Sequence, residues 1–147
     1  MEIERKFLAD RLPDDLMSYP SRTIEQGYLS TDPVIRIRKD NDKYELTYKS
    51  KGFMTRQEYN LPLTEEAYRH LLPKIDGRLI QKTRYMVPLG QGLTAEVDIF
   101  RGGLEPLILV EVEFRDEPSA KKFLPPPWFG EDVTFSERYH NSALSKI

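Results

Sequence analysis

The 147-residue chain predicts a mainly β fold of the α+β class, an eight-stranded antiparallel closed β-barrel with a charged interior and a few peripheral helices. Three observations carry that prediction. Eight segments alternate in side-chain character with the two-residue period of a strand. Short turn sequences join several of them, which favours antiparallel neighbours. Eight is also the number at which an antiparallel sheet closes around side chains or one small ligand.

The first strand is Met1 to Leu8, with Glu2, Glu4 and Lys6 on one face and Ile3, Arg5 and Phe7 on the other. Asp10 to Ser21 holds two prolines and reads as a loop with one helical turn near Asp14 to Ser18. Strands follow at Arg22 to Leu29 and Val34 to Lys39, separated by the turn Ser30-Thr31-Asp32-Pro33. The Asp40-Asn41-Asp42 turn leads to a strand from Tyr44 to Lys51, Gly52 breaks it, and Met54 to Leu61 makes the fifth. Thr64 caps a helix whose stripe is Tyr68, Leu71 and Leu72, closed by Pro73 and Gly77. The last three strands run near Leu79 to Val87, Leu93 to Phe100 and Leu107 to Arg115. Pro118 to Leu124 reads as a short helix and Pro125-Pro126-Pro127 as a break, with Trp128 plugging a barrel end. Ser136 to Ile147 reads as a final helix, and His70 and His140 as helical surface or capping residues.

Composition narrows the function classes. The chain is read as one domain, residues 1–147, with 39% apolar and 31% charged residues and a formal net charge of −2. That balance gives no general attraction to nucleic acid or an anionic membrane, so any cationic surface is local. There is no cysteine and there are only 2 histidines, so disulfides and thiolate metal sites are excluded and a metal here is a hard one. No apolar run approaches a membrane span and charges begin at position 2, so a cytoplasmic protein is expected. Oligomeric state is not written in the chain.

The charge pattern carries the chemistry. Same-face pairs recur at Arg36/Arg38, Lys49/Lys51, Arg56/Glu58, Lys82/Arg84, Glu96/Asp98 and Glu111/Glu113. Most pairs have one sign, and like charges side by side are destabilising. A solvated face of cross-strand salt bridges would mix signs instead. The apolar alternates Phe7, Ile37, Leu79, Ile99, Leu109, Val110 and Val112 are expected to face outward beneath helices and loops, which turns the charges inward. Arg5 and Lys39, out of phase with Glu4 and Arg38, are expected to be solvated and dispensable. Tyr28 fits either tunnel lining or packing.

An interior of this kind is costly to dry out unless it is wet or holds ions. Oxygen-only ligands suit Mg²⁺, Mn²⁺ or Ca²⁺, and the candidates are Glu2, Glu4, Glu58, Glu96, Asp98, Glu111 and Glu113. Lys6, Arg36, Arg38, Lys49, Lys51, Arg56, Lys82 and Arg84 suit phosphate. Together they describe a polyanion bridged by divalent metal, and phosphoryl transfer needs little beyond positioning and charge neutralisation.

Glu2-x-Glu4-x-Lys6 resembles the ExExK signature of the CYTH superfamily, also called triphosphate tunnel metalloenzymes. The resemblance continues through Arg36-x-Arg38, Lys49, Arg56-x-Glu58, Lys82-x-Arg84-Tyr85, Glu96-x-Asp98, Glu111-x-Glu113 and Arg138-Tyr139-x-Asn141, spanning nearly the whole chain. It implies a tunnel holding a small-molecule triphosphate, with Glu2, Glu4 and the last acidic pair on metal and the basic residues on phosphates. The short bacterial members resembled here include tripolyphosphatases. The expected activity is metal-dependent hydrolysis of inorganic tripolyphosphate with one or two Mg²⁺ or Mn²⁺ ions, one held by Glu2, Glu4 and Glu113. A second, near Glu111 and Asp98, is expected to activate the attacking water, with Lys82 either a base or an orienting group. Nucleoside triphosphatase, adenylate cyclase and a non-catalytic polyphosphate or nucleotide sensor are the alternatives that the same residues allow.

Overall fold

The computed structural model covers all 147 residues. Its strands are β1 (Glu2–Ala9), β2 (Ser21–Thr31), β3 (Val34–Asp40), β4 (Lys43–Lys49), β5 (Thr55–Arg56), β6 (Glu58–Leu63), β7 (Asp76–Gly90), β8 (Leu93–Phe100), β9 (Ile108–Glu113) and β10 (Phe129–Asp132). The helices are short: α1 (Glu65–Leu71), α2 (Glu117–Lys122) and α3 (Asn141–Leu144).

Pairing runs β1–β9–β8–β7–β2–β3–β4–β6, antiparallel throughout. Only Gln57 separates β5 from β6, and β5 returns to β1 through Glu2–Arg56 and Ile3–Thr55. β5 and β6 therefore act as one bent strand that closes the eight-membered ring predicted from the sequence. β10 is additional. It occupies the same edge of β1 further along, opposite Phe7 and Ala9. Between the two, Glu4 N–H donates to Met54 O at 2.9 Å and Lys6 N–H donates to Thr134 Oγ1 at 3.0 Å, so the seam along β1 is bonded throughout.

Four differences from expectation have local causes. β10 has only four residues, too few to show alternation after the proline run. β4 ends at Lys49, so Lys51 falls in the following loop with its side chain 87% exposed. The C-terminal helix is reduced to a single-turn 3-10 element (Glu137–Tyr139) and α3, because His140 adopts an extended backbone (ψ 138°) between them. Leu109 does not face outward with Val110; it shares the parity of Glu111 and lies opposite Asp98. Elsewhere the turn chemistry acts as read: Asn41 takes the left-handed conformation (φ 54°) in the β3–β4 hairpin, and Thr64 Oγ1 accepts from Ala67 N–H to start α1.

Two apolar cores result. Outside the barrel, Phe7, Val97, Val110 and Val112 pack with Phe114, Ala120 and Phe129 beneath α2, and Trp128 stacks edge-on against Phe129 at 4.6 Å. Inside one end of it, Tyr28, Ile80, Phe100 and Leu109 are sealed by Leu104, Val133 and Leu144. Gly77 (φ 70°) lets β7 begin against the C-terminal segment, where Arg78 N–H donates to Ser145 O at 2.7 Å and seats Leu144 in this plug. The lumen is thus charged for most of its length and apolar at its floor.

Arg5 is not a free surface charge. Nη1 donates to Ala120 O (3.0 Å) and Phe123 O (2.9 Å), Nη2 donates to Asp132 (2.9 Å), and the guanidinium stands 5.0 Å from the Phe7 ring. It ties the C-terminal end of α2 and strand β10 to β1. Arg5→Gln is therefore expected to cost about 2 kcal/mol, as for hydrogen bonds to a charged group. Thermal denaturation should show a loss of roughly 4–8 °C, and a melting curve coincident with wild type would contradict the role.

Candidate active site

Reading inward-facing residues around the ring shows two sectors. β1, β9 and β8 contribute Glu2, Glu4, Glu113, Glu111, Glu96 and Asp98, while β7, β3 and β4 contribute Lys82, Arg84, Arg36, Arg38 and Lys49. β2 separates β7 from β3 and β4, with the neutral Gln26 between their cations. The tightest ion pairs of the lumen lie at the two borders, while Lys6 stands opposite Glu111 inside the acidic sector.

At the β8/β7 border, Arg84 meets Asp98 through Nε–Oδ1 at 2.7 Å and Nη2–Oδ2 at 2.9 Å, and it also reaches Glu111 at 3.2 Å and Glu96 at 3.4 Å. Lys82 Nζ is 2.7 Å from Asp98 Oδ2 and 3.3 Å from Asn141 Oδ1. Burial opposes the Arg84 charge, but Asp98 and then Glu96 and Glu111 hold the guanidinium firmly protonated. Burial pushes the Lys82 ammonium down to about 8 despite Asp98 beside it. At the other border, Lys49 Nζ lies 3.0 Å from Glu2 and 3.4 Å from Glu58, with Arg56 3.8 Å from Glu2.

The centres of the sectors are left uncompensated. Arg36 donates Nη2 to Thr47 Oγ1 at 3.1 Å and Arg38 donates to Gln26 Oε1 at 2.6 and 2.9 Å, and neither has an acidic partner. The buried Arg36 Nε has no partner at all. Burial, with Arg36 and Arg84 nearby, lowers the Arg38 guanidinium to about 10. In the acidic sector Glu4 has no cationic partner, and burial together with Glu111 and Glu2 pushes its carboxyl well above the usual range. Glu111 stays ionised, because Lys6, Arg84 and Lys82 outweigh its burial.

These groups enclose a cavity of about 150 Å³ in which Tyr28 and Val34 are the only apolar lining residues. Of the residues anticipated from sequence, Glu2, Glu4, Lys6, Arg36, Arg38, Lys49, Arg56, Glu58, Arg84, Glu96, Glu111 and Glu113 line it. Asp98 and Lys82 lie beneath, fully buried and committed to one another and to Arg84. Lys51 lies outside. No three acidic or imidazole side chains converge on a common point, so the arrangement expected around Glu2, Glu4 and Glu113 is not drawn together, and Glu2 is turned to Lys49. The donor set nevertheless fits a hard divalent cation. Glu4 makes no ion pair, stands across from Glu113 on β9 and is repelled by Glu111, and these carboxylates offer oxygen ligands.

Sequence reasoning missed Glu45, Asn60, His140 and Ser142 in the lining. Glu45 and Asn60 extend the parities of Lys49 and Glu58 and were legible there. His140 sits beside Asn141 in the closing motif, but its placement needed the C-terminal segment to fold back: Lys6 Nζ donates to Tyr139 O at 3.1 Å. Its ring meets Phe53 edge-on at 5.2 Å.

The chain is thus a closed antiparallel barrel whose lumen holds two arginines without acidic partners and, on the opposite wall, a glutamate without an ion pair. The CYTH domain matches residues 1–147, and the chain belongs to that family. It is 47% identical over 148 residues to a protein of Nitrosomonas europaea named inorganic triphosphatase, covering 98% of this chain and 96% of that one. It is 37% identical over 153 residues to a protein of the same name from Acetivibrio thermocellus, covering 99% and 93%. A crystal structure of an inorganic triphosphatase superposes with a TM-score of 0.73 at 43% identity, over 99% of this chain and 94% of that chain.

Burial, followed by the charges of Lys6, Arg56 and Lys49, lowers the His140 imidazole to about 4. Between its ordinary 6.5 and that value, the unfolded chain takes up a proton that the native state refuses, so stability falls as pH falls through this window. His140→Gln removes this contribution. Its melting temperature should decline less steeply than wild type from pH 6.5 to 4.5, and parallel curves would contradict the assignment.

Proposed function

We propose that this chain is a divalent-metal-dependent hydrolase of inorganic tripolyphosphate. The observation that carries the reading is the two lumen guanidiniums without an acidic partner, the buried Arg36 with a free Nε and the half-buried Arg38. Leaving such donors unpaired is costly, and a phosphate oxygen is the acceptor that suits them. The almost wholly polar lining favours an inorganic chain over a nucleoside. The similarity to the inorganic triphosphatases above supports the same substrate.

In this reading Arg36 and Arg38 fix the phosphate chain, and Lys6, Lys49 and Arg56 offset its remaining charge. Glu4, with Glu111 and Glu113, would hold the metal. A bound divalent cation supplies neutralisation of phosphate oxygens and a lowered pKa for the attacking water. Water attacks a terminal phosphorus in line, the bridging P–O bond breaks, and pyrophosphate leaves with the bond pair while orthophosphate forms. Arg84, held rigid by three carboxylates, faces the developing charge without having to reorganise. Lys82 acts through Asp98: its ammonium fixes the carboxylate that fixes Arg84, which makes it a positioning residue.

Phosphate release is measured from tripolyphosphate, ATP and pyrophosphate, each with Mg²⁺ or Mn²⁺. Tripolyphosphate should be the preferred substrate and chelation should abolish its turnover. Glu4→Gln should reduce turnover by on the order of 10²–10³, with a melting temperature equal to or above wild type because a buried repulsion is relieved. Full activity in excess EDTA, or an unimpaired Glu4→Gln enzyme, would overturn the reading.

A further inference from the structure

Lys51 continues the alternating charge pattern of β4 but is carried outside the barrel when that strand ends, and the lumen reading leaves it unused. It lies on a second cavity of about 720 Å³, bounded by the β2–β3 turn, the loop after β4 and the C-terminal segment. This antechamber adjoins the lumen beside the apolar floor, on the side of β3, β4 and β5, since Val34, Lys49, Arg56, His140 and Ser142 line both. Its cations are Lys49, Lys51, Arg56 and Lys146, against Asp32 and Glu137. Lys49 and Arg56 already face Glu2, and the Lys51–Asp32 contact is a loose 3.9 Å between exposed groups. The outermost cations, Lys51 and Lys146, are the ones that meet an approaching ligand first.

The other end of the barrel has the opposite sign. Exposure rises along β8 from Asp98 (0%) to Glu96 (20%), and along β9 from Glu111 (7%) to the exposed Glu113, so that mouth opens between carboxylates. Glu45 lies on the same side, one inward position from the Arg22–Asp40 pair. A tripolyphosphate approaching there meets like charge, whereas a divalent cation does not. Focused fields of one sign at a cleft raise the local concentration of the opposite ion and its association rate.

We propose that the antechamber is the polyanion entrance, and that Lys51 and Lys146 form an electrostatic capture site for tripolyphosphate outside the catalytic lumen. The proposal rests on the tripolyphosphate reading above and adds where the anion enters and which residues collect it. Capture by exposed lysines acts through long-range attraction, so its signature is salt sensitivity in kcat/KM rather than in kcat.

The test compares wild type, the double reversal Lys51→Glu/Lys146→Glu, and Lys121→Glu on α2 as a charge control. Tripolyphosphate turnover with Mg²⁺ is followed at about 20 mM and 0.5 M ionic strength, and tripolyphosphate binding is measured in parallel by calorimetry. At low salt the double reversal should lower kcat/KM and affinity about tenfold with kcat within about twofold, and at high salt the gap should close. Lys121→Glu should match wild type. Equal kcat/KM and affinity at low salt, a loss that persists at high salt, or a loss shared by Lys121→Glu would each overturn the proposal. A wild type that binds tripolyphosphate without hydrolysing it would overturn the triphosphatase reading alone, with calorimetry still deciding the entrance. A wild type that does not bind it would overturn both.

Discussion

The lumen depends on the ion pairing at its two charge borders. Like-signed residues two apart on one strand repel, and closing a barrel brings those strands together in a partly dry interior. Arg84 resolves one border by gathering Asp98, Glu96 and Glu111, and Lys49 with Arg56 resolves the other on Glu2. What remains is set by geometry. At the centre of each sector no ion pair forms, so Glu4 stands chiefly among carboxylates and Arg36 and Arg38 beside one another. The stable part of the network leaves the reactive part unpaired.

The apolar floor has a consequence for the same network. Phe100, Leu109 and Ile80 are the inward neighbours of Asp98, Glu111 and Lys82 on the floor side of their strands, so the deepest ion pairs stand against hydrocarbon. There the exchange of charge for solvent is strongly disfavoured, which is why Lys82 and Asp98 are both fully buried yet lie only 2.7 Å apart. The C-terminal segment completes this floor. Leu144 enters the plug while Asn141 and the Tyr139 carbonyl take hydrogen bonds from Lys82 and Lys6, so the last residues of the chain help position its first strand.

The barrel and most of its lining were legible because strand alternation is local and exact in period, and each charged pair reports its own face. Where the reading failed, the cause was not local. Lys51 follows the alternation of β4 but lies past the point at which the strand stops. Leu109 and Val110 are both apolar neighbours, and only the pairing of Leu109 with Asp98 shows that one seals the lumen while the other packs outside. Asp98 reads as a metal ligand from its spacing to Glu96, yet both of its oxygens are taken by Arg84 and Lys82 of the neighbouring β7, a pairing that sequence cannot rank by distance. Arg5 looks solvated by parity, because its partners lie 115 to 127 residues away.

Arg36 Nε is the buried lumen donor left without an acceptor, and a crystal structure with tripolyphosphate and a divalent cation tests most directly whether a phosphate oxygen fills that place. A phosphate oxygen should lie about 2.7–2.9 Å from Arg36 Nε, the distance of a charge-assisted hydrogen bond. Arg38 should donate to the same chain, and the metal should sit on Glu4. Tripolyphosphate bound elsewhere, with Arg36 Nε still unpaired in the lumen, would contradict it.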